Sequence, residues 1–227
     1  MKQKQGKLIV LEGTDGTGKA TQLALLKARL EKEGVSFRSD AFPHHGDPSA
    51  AAVDLYLSQD IAPADAFGPY CASVYYAVDR SFRKFTIAGW LKEVDIVLLD
   101  RYVGSNAGHQ GGKIKNEKER EEFLAWLYDL EYNRLGIARP DLNVILHLPA
   151  EVAQKRKRAQ KLALAGAVLD AHEEDLGHLK AAEESYLWLS WKNPEEYVVV
   201  SEMEGERELT PEEVHERVWK VLEKFLR

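Results

Sequence analysis

Residues 10–21 read VLEGTDGTGKAT, and no other stretch restricts the chain as much. Gly13, Gly18 and Lys19 reproduce Gly-x-x-x-x-Gly-Lys, the phosphate-binding P-loop pattern. The pattern directly follows an apolar run, KLIVLE (7–12), and precedes a helical stripe of Leu23, Leu26 and Leu30. A strand turning through such a loop into a helix makes a phosphate cradle. Backbone N–H groups converge on phosphate oxygens, the helix N-terminus adds partial positive charge, and the lysine reaches the outer phosphates. The alternative is a tight strand-to-helix turn with a solvent-facing lysine. One position departs from the pattern: Ala20 stands where Ser or Thr would offer a hydroxyl to magnesium. Magnesium needs only one or two protein ligands and keeps several waters. Asp100, closing DIVLLD (95–100), sits where an acid could hold the ion through water, with Asp15 as a further carboxylate in the loop.

Three more apolar runs, DIVLLD (95–100), LNVILHL (142–148) and YVVVS (197–201), are nearly continuous, as in strands covered on both faces. VSFRSDAF (35–42) is a weaker, alternating candidate. Helical patterns lie between them. Gly34 marks a C-cap, Leu124, Leu127 and Leu130 form a stripe, and Thr210-Pro211-Glu212-Glu213 reads as a capping box with Pro in the first turn. The expected fold is α/β: one domain over 1–227, with a P-loop NTPase-type parallel five-stranded sheet, helices on both faces and a short lid. Two segments look like loops beyond strand carboxyl ends, where ligands bind in open sheets: FPHHGDPSA (42–50) and the glycine-rich 104–120.

With 44% hydrophobic and 30% charged residues and a net charge of −6, a nucleic-acid polymer is not the expected partner. The N-terminal MKQKQGK leads into too few apolar residues for a signal peptide. No stretch approaches the ~18 apolar residues of a membrane span, so no membrane partner is expected. The single cysteine, Cys71, makes no internal disulfide and reads as a small buried thiol. The expected location is the cytoplasm.

LEGTDGTGKATQ, then FP (42–43), YYAVDR (75–80) and DRYVGSNAGHQGG (100–112) resemble thymidylate kinases in order and spacing, and RPDLNVILHLPAE (139–151) and LDAHEEDL (169–176) extend the likeness. The resemblance implies phosphoryl transfer from Mg-ATP to a deoxynucleoside monophosphate, foremost dTMP, by a homodimer. It implies ATP contacts from Gly13, Thr14, Gly16, Thr17, Gly18, Lys19, Ala20, Thr21 and Arg158. The acceptor would meet Asp15, Phe42, Tyr76, Arg80, Arg101, Asn106, His109 and Gln110. Arg80 and Arg101 would hold its phosphate, and Tyr76 would stack on the base. The lid, about 152–169, would bring Arg156 to the migrating phosphoryl, while Asp100 would serve Mg2+ and Glu173 either Mg2+ or the acceptor sugar. Lys19, Arg101, Asp15 and Arg156 form the expected catalytic set.

Several of these residues also have plain readings. Arg80 alone reads as half of a surface ion pair on a helix, Phe42 and Tyr76 as core aromatics, and the lid cations as a solvated helix face. His44 and His45 read as loop residues, and Trp90, Trp126 and Tyr132 as possible dimer contacts. Gly108 and His109 replace the family's Ala and aromatic beside the sugar, which opens the choice of acceptor. Two rivals remain: a kinase of this fold with another nucleotide acceptor, and a nucleotide-binding protein without transfer, for which Ala20 speaks.

Overall fold

A computed structural model describes residues 5–163 and 175–226. The chain runs β1 (Lys7–Glu12), α1 (Lys19–Lys32), β2 (Phe37–Ala41), α2 (Ala51–Ser58), α3 (Gly68–Phe82), α4 (Lys84–Glu93) and β3 (Ile96–Asp100). It continues with α5 (Val103–His109), α6 (Glu117–Tyr128), β4 (Leu142–His147), α7 (Ala150–Ala163), α8 (Leu176–Lys192) and β5 (Tyr197–Ser201). A small hairpin, β6 (Met203–Glu204) and β7 (Arg207–Glu208), precedes α9 (Pro211–Leu222). All five expected strands are present, in the order β2-β3-β1-β4-β5 and all parallel.

Alternation along each strand feeds two cores. Leu8, Val10, Val97, Leu99 and Ile145 face a layer holding Phe123, Leu127, Tyr186 and Leu189. Ile9, Leu11, Ile96, Leu98, Val144 and Leu146 face Leu26 and Leu30 of α1 and Val214, Val218 and Leu222 of α9. The crossover after β1 therefore lies on one face of the sheet, and that after β3 on the other. Their loops part at the carboxyl ends of adjacent strands, the switch point where open sheets bind ligands.

Helix ends follow the sequence signals. Gly34 (φ 70°) ends α1 with a Schellman pair, Gly34 N–H to Glu31 O and Val35 N–H to Leu30 O. Thr210 and Glu213 form the reciprocal capping box of α9.

Two expectations are overturned. Residues 104–120 are not an open loop: Val103–His109 is α5, and α6 begins at Glu117. Tertiary packing decides this, because the glycines admit α8 at close range. A Cβ at Gly108 would lie 2.5 Å from the Tyr186 ring, and one at Gly112 2.6 Å from the Ala181 carbonyl. Cys71 is exposed rather than buried, on α3, with Sγ 3.1 Å from the Tyr75 hydroxyl. Trp90, Trp126 and Tyr132 are half-buried against the first core. The exposed apolar side chains include Tyr70, Val74, Val78 and Phe82 along α3 and Phe85 on α4, with Leu55, Ile61, Leu187 and Trp191 elsewhere.

Candidate active site

The P-loop leaves β1 at Gly13 and enters α1 through Gly18, whose φ of 68° turns the chain into the first helical turn. Gly16 (φ 89°) lies directly under α7; a Cβ there would be 2.3 Å from the Ala153 carbonyl. Thr17 closes the turn by donating to Thr14 O at 2.8 Å. Lys19 is buried and curls back over the loop, Nζ donating to Gly13 O (3.0 Å) and Thr14 O (2.9 Å). Burial, aided by the Arg101 charge, lowers its pKa to about 8 against the pull of Asp15, Asp100 and Glu12. Ala20 and Thr21 are exposed at the start of α1.

Arg101 follows β3 in a left-handed backbone conformation (φ 65°), uncommon for a non-glycine residue. The β1 strand holds it there. Arg101 N–H bonds to Leu11 O at 2.9 Å, and the next amide, of Tyr102, bonds to Glu12 Oε1 at 2.9 Å. Glu12 is fully buried and also accepts from the Ser105 hydroxyl at 2.6 Å; burial raises its pKa. Sequence reasoning missed Glu12, although a carboxylate closing an otherwise apolar buried strand was its signal. The guanidinium of Arg101 turns back toward the P-loop. Nη2 pairs with Asp15 at 2.5 Å, and Nη1 lies 3.3 Å from Gly13 O, 3.3 Å from His109 Nε2 and 3.4 Å from Ser105 Oγ. Burial would raise the Asp15 pKa, but Arg101, Lys19 and Lys157 hold it well below the usual carboxylate range.

Two cavities flank the loop. One, of roughly 270 Å³, is lined by Asp15, Phe42, Pro43, His45, Leu57, Tyr76, Arg80, Arg101, Ser105, Asn106, His109, Gln110, Lys157 and His178. Every acceptor residue expected from the sequence meets there. The second, of roughly 170 Å³, lies on the other side of the loop, among Thr17, Gly18, Thr21, Gln22, Arg156, Glu202, Glu208 and Pro211. Adjacent lid cations thus face opposite sides. Arg156 donates to Gly16 O (3.3 Å) and Glu202 (2.6 Å) and pairs with Glu208, while Lys157 lies 3.7 Å from Asp15. Lys157 was passed over in the sequence. Its signal was position 157 itself, one step along α7 from Arg156. Arg158 is exposed and lines neither cavity. Glu173 and the end of the lid, 164–169, fall outside the described residues.

Arg80 is not a surface ion pair: it is 2% exposed and gripped by fully buried Glu131. Nε donates to Oε2 at 2.7 Å, Nη2 pairs with Oε1, and Nη1 reaches Tyr102 O at 3.3 Å. Its charge is therefore already matched. Asn106 donates to Ser73 O at 3.1 Å, and the buried Oε1 of Gln110 has no hydrogen-bond partner among the described residues. His44 is a loop anchor, its backbone N–H donating to buried Asp79 at 3.0 Å, whereas His45 lines the larger of the two cavities.

The metal expectation meets one supporting observation: Asp100 Oδ1 is buried beside the P-loop with no hydrogen-bond partner among the described residues. No group of three or more acidic, His or Cys side chains suited to a metal occurs among the described residues, so phosphates would have to complete the coordination.

A family model described as thymidylate kinase matches residues 11–217. The chain belongs to the thymidylate kinase family. Thymidylate kinase from Mycobacterium tuberculosis is 33% identical over 168 residues, covering 74% of this chain and 78% of that protein. The enzyme from Thermomicrobium roseum is 30% identical over 213 residues, covering 93% and 91%. A solved thymidylate kinase structure from Candida albicans, 22% identical, shares the fold with a TM-score of 0.71 over 97% of this chain and 92% of that one. The α/β fold and the kinase class expected from the sequence hold. No described helix is long and apolar enough to cross a membrane.

Proposed function

We propose that this chain moves the γ-phosphoryl of Mg-ATP to the 5′-phosphate of dTMP, releasing dTDP and ADP. The observation that carries the reading is the Lys19–Asp15–Arg101 array, which joins the P-loop to a cavity lined by cations and aromatics. A phosphate oxygen of dTMP attacks the γ-phosphorus, and the bond from the β–γ bridging oxygen to that phosphorus breaks. The acceptor is already an anion, so no general base is required. That suits a site whose loop carboxylate, Asp15, is held ionised in an ion pair. Lys19 and the P-loop amides hold the β- and γ-phosphates. Arg101 and Lys157 hold the acceptor phosphate, and Asp15 keeps Arg101 in place. Arg156 serves the donor side once ATP competes with its two glutamates. Catalysis is positioning plus charge neutralisation in a site that excludes water.

Tyr76 and Phe42 flank the base. Arg80, its charge matched by Glu131, acts as a fixed donor to a neutral base carbonyl rather than as a phosphate grip. Asn106 and Gln110 supply the remaining polar contacts. Magnesium, held by Asp100 through water and by the phosphates, would neutralise charge on the β- and γ-oxygens.

The working form is a homodimer joined through α3. Tyr70, Val74, Val78 and Phe82 recur every four residues as an exposed apolar row, with Phe82 68% and neighbouring Phe85 81% exposed. Tyr76 and Arg80 leave the opposite side of that helix, so the interface backs the acceptor cavity.

The test is ADP release with Mg-ATP against dTMP, dUMP, dCMP, dGMP, dAMP and UMP. Preferred turnover of dTMP is expected. Preference for another acceptor would sink the substrate, and ATP binding without turnover of any would sink the kinase reading.

A further inference from the structure

Resting on the dTMP kinase reading, we propose that His178 is a positioning residue for Arg101: by accepting from His109 it fixes the imidazole that Arg101 leans on, and so sets acceptor affinity.

The argument starts from the one group whose protonation is not in question. A guanidinium is charged at every working pH and can only donate. Arg101 Nη1 lies 3.3 Å from His109 Nε2, so that nitrogen must accept and carries no proton. His109 is then neutral, with its hydrogen on Nδ1. Nδ1 lies 3.3 Å from His178 Nε2, which must accept in turn. One tautomer choice follows from the other, from β3 through α5 to α8.

The ring geometry agrees. The two imidazoles are within 19° of parallel, with centroids 5.5 Å apart. That separation, with facing nitrogens at 3.3 Å, places the rings end to end, joined nitrogen to nitrogen rather than stacked. Tyr186 meets His109 edge-on at 5.8 Å, in space that a Cβ at residue 108 would occupy. Gly108, His109, His178 and Tyr186 thus form one packed unit, and the departure from the family pattern at 108–109 is answered by α8.

The unit works only in the neutral state. Burial, then the charge of Arg101 and the proximity of His178, holds the His109 pKa well below an ordinary histidine. A proton on His178 Nε2 would face the Nδ1 hydrogen of His109. Relief by a tautomer change would turn His109 Nε2–H against Arg101. Among the described residues, the charged and titratable groups around the pair are Asp15 and Lys19 from the P-loop, Arg101 after β3, Lys157 from α7, Tyr186 from α8 and Asp175, which caps α8 and accepts from the His178 backbone N–H at 3.1 Å, with His45 and Arg80 lining the same cavity. Arg101, Lys19 and Lys157 oppose a second positive charge, and Asp15 and Asp175 favour it.

The experiment measures dTMP affinity by calorimetry without turnover, alongside KM and kcat, for wild type, His178→Ala, His178→Gln, His109→Ala and the His109→Ala/His178→Ala double variant. His178→Ala is expected to weaken dTMP binding roughly three- to tenfold, the scale of one neutral hydrogen bond, with a smaller change in kcat. Glutamine presents an acceptor like Nε2 that never takes a proton, so His178→Gln recovers most of the loss at pH 8. The acceptor phosphate itself protonates near pH 6. The readout is therefore the ratio of wild type to His178→Gln, and wild type should weaken more between pH 8 and pH 6. The double variant should bind no worse than His109→Ala, because residues in one chain are not additive. Wild-type affinity in His178→Ala, an additive double variant, or a ratio flat with pH would overturn the proposal while leaving the kinase reading intact. Absence of dTMP turnover by wild type would instead overturn the reading on which it rests.

Discussion

Removing one carboxylate behind the acceptor cavity tests the assignment of Arg80 most directly. Arg80 and Glu131 are 2% and 0% exposed, joined by two hydrogen bonds, so Glu131→Gln leaves a guanidinium in the interior with its counter-charge gone. Burial opposes the Arg80 charge, but Glu131 outweighs it and raises the pKa, so Arg80 cannot escape by shedding its proton. Breaking one side of a buried pair costs about 3–5 kcal/mol. For a chain of this size, each kcal/mol moves the melting temperature about 2–4 °C. Glu131→Gln is therefore expected to lower Tm by roughly 6–20 °C in calorimetric or circular-dichroism melts. The companion variant Arg80→Met/Glu131→Leu removes both charges, and such swaps are often neutral. It should recover most of the lost Tm while dTMP affinity stays weak, because the donor to the base is gone. A Glu131→Gln protein melting within about 2 °C of wild type, or a double variant no more stable than the single, would refute the reasoning.

Three further outcomes follow from the site. Lys19 is cationic below its pKa of about 8 and neutral above it, so kcat/KM for ATP, which reports on the free enzyme, should be level below pH 8 and fall as pH rises through that value; a flat profile to pH 9.5 would contradict it. Val78→Glu places a charge in the α3 row and should give monomers in sedimentation velocity where wild type is dimeric, whereas an unchanged sedimentation coefficient would move the interface elsewhere. Asp100→Asn should raise the magnesium concentration for half-maximal activity by about tenfold or more, the loss of one carboxylate that holds the ion through water, and an unchanged magnesium curve would remove Asp100 from the metal site.

Much of this molecule was legible because its signals are local. Four continuous apolar runs and one alternating run became the five strands, since a buried parallel strand must be apolar over its length. The P-loop announced itself through glycines and a lysine at fixed spacing, the Thr210 box through a cap that closes within one turn, and Gly34 through a Schellman motif. The acceptor-side residues from Phe42 to Gln110 were legible only through the family's ordered motifs.

What the tertiary structure alone decided depends on elements far apart in the chain. Residues 104–109 read as a glycine-rich loop by propensity but fold as α5, because α8, some seventy residues later, occupies the space those glycines leave. Cys71 was misjudged because burial depends on which helix face meets a neighbour, and the face of α3 that carries it is exposed. Nothing near Arg80 names Glu131 as its partner, fifty-one residues on, or marks that pair as buried. Nor does the order of basic residues in 155–158 tell that Arg156 and Lys157 straddle the P-loop. Periodicity and spacing fix what a segment becomes, while charge pairing, burial and the orientation of His109 toward His178 exist only once the sheet has brought separate crossovers to one edge.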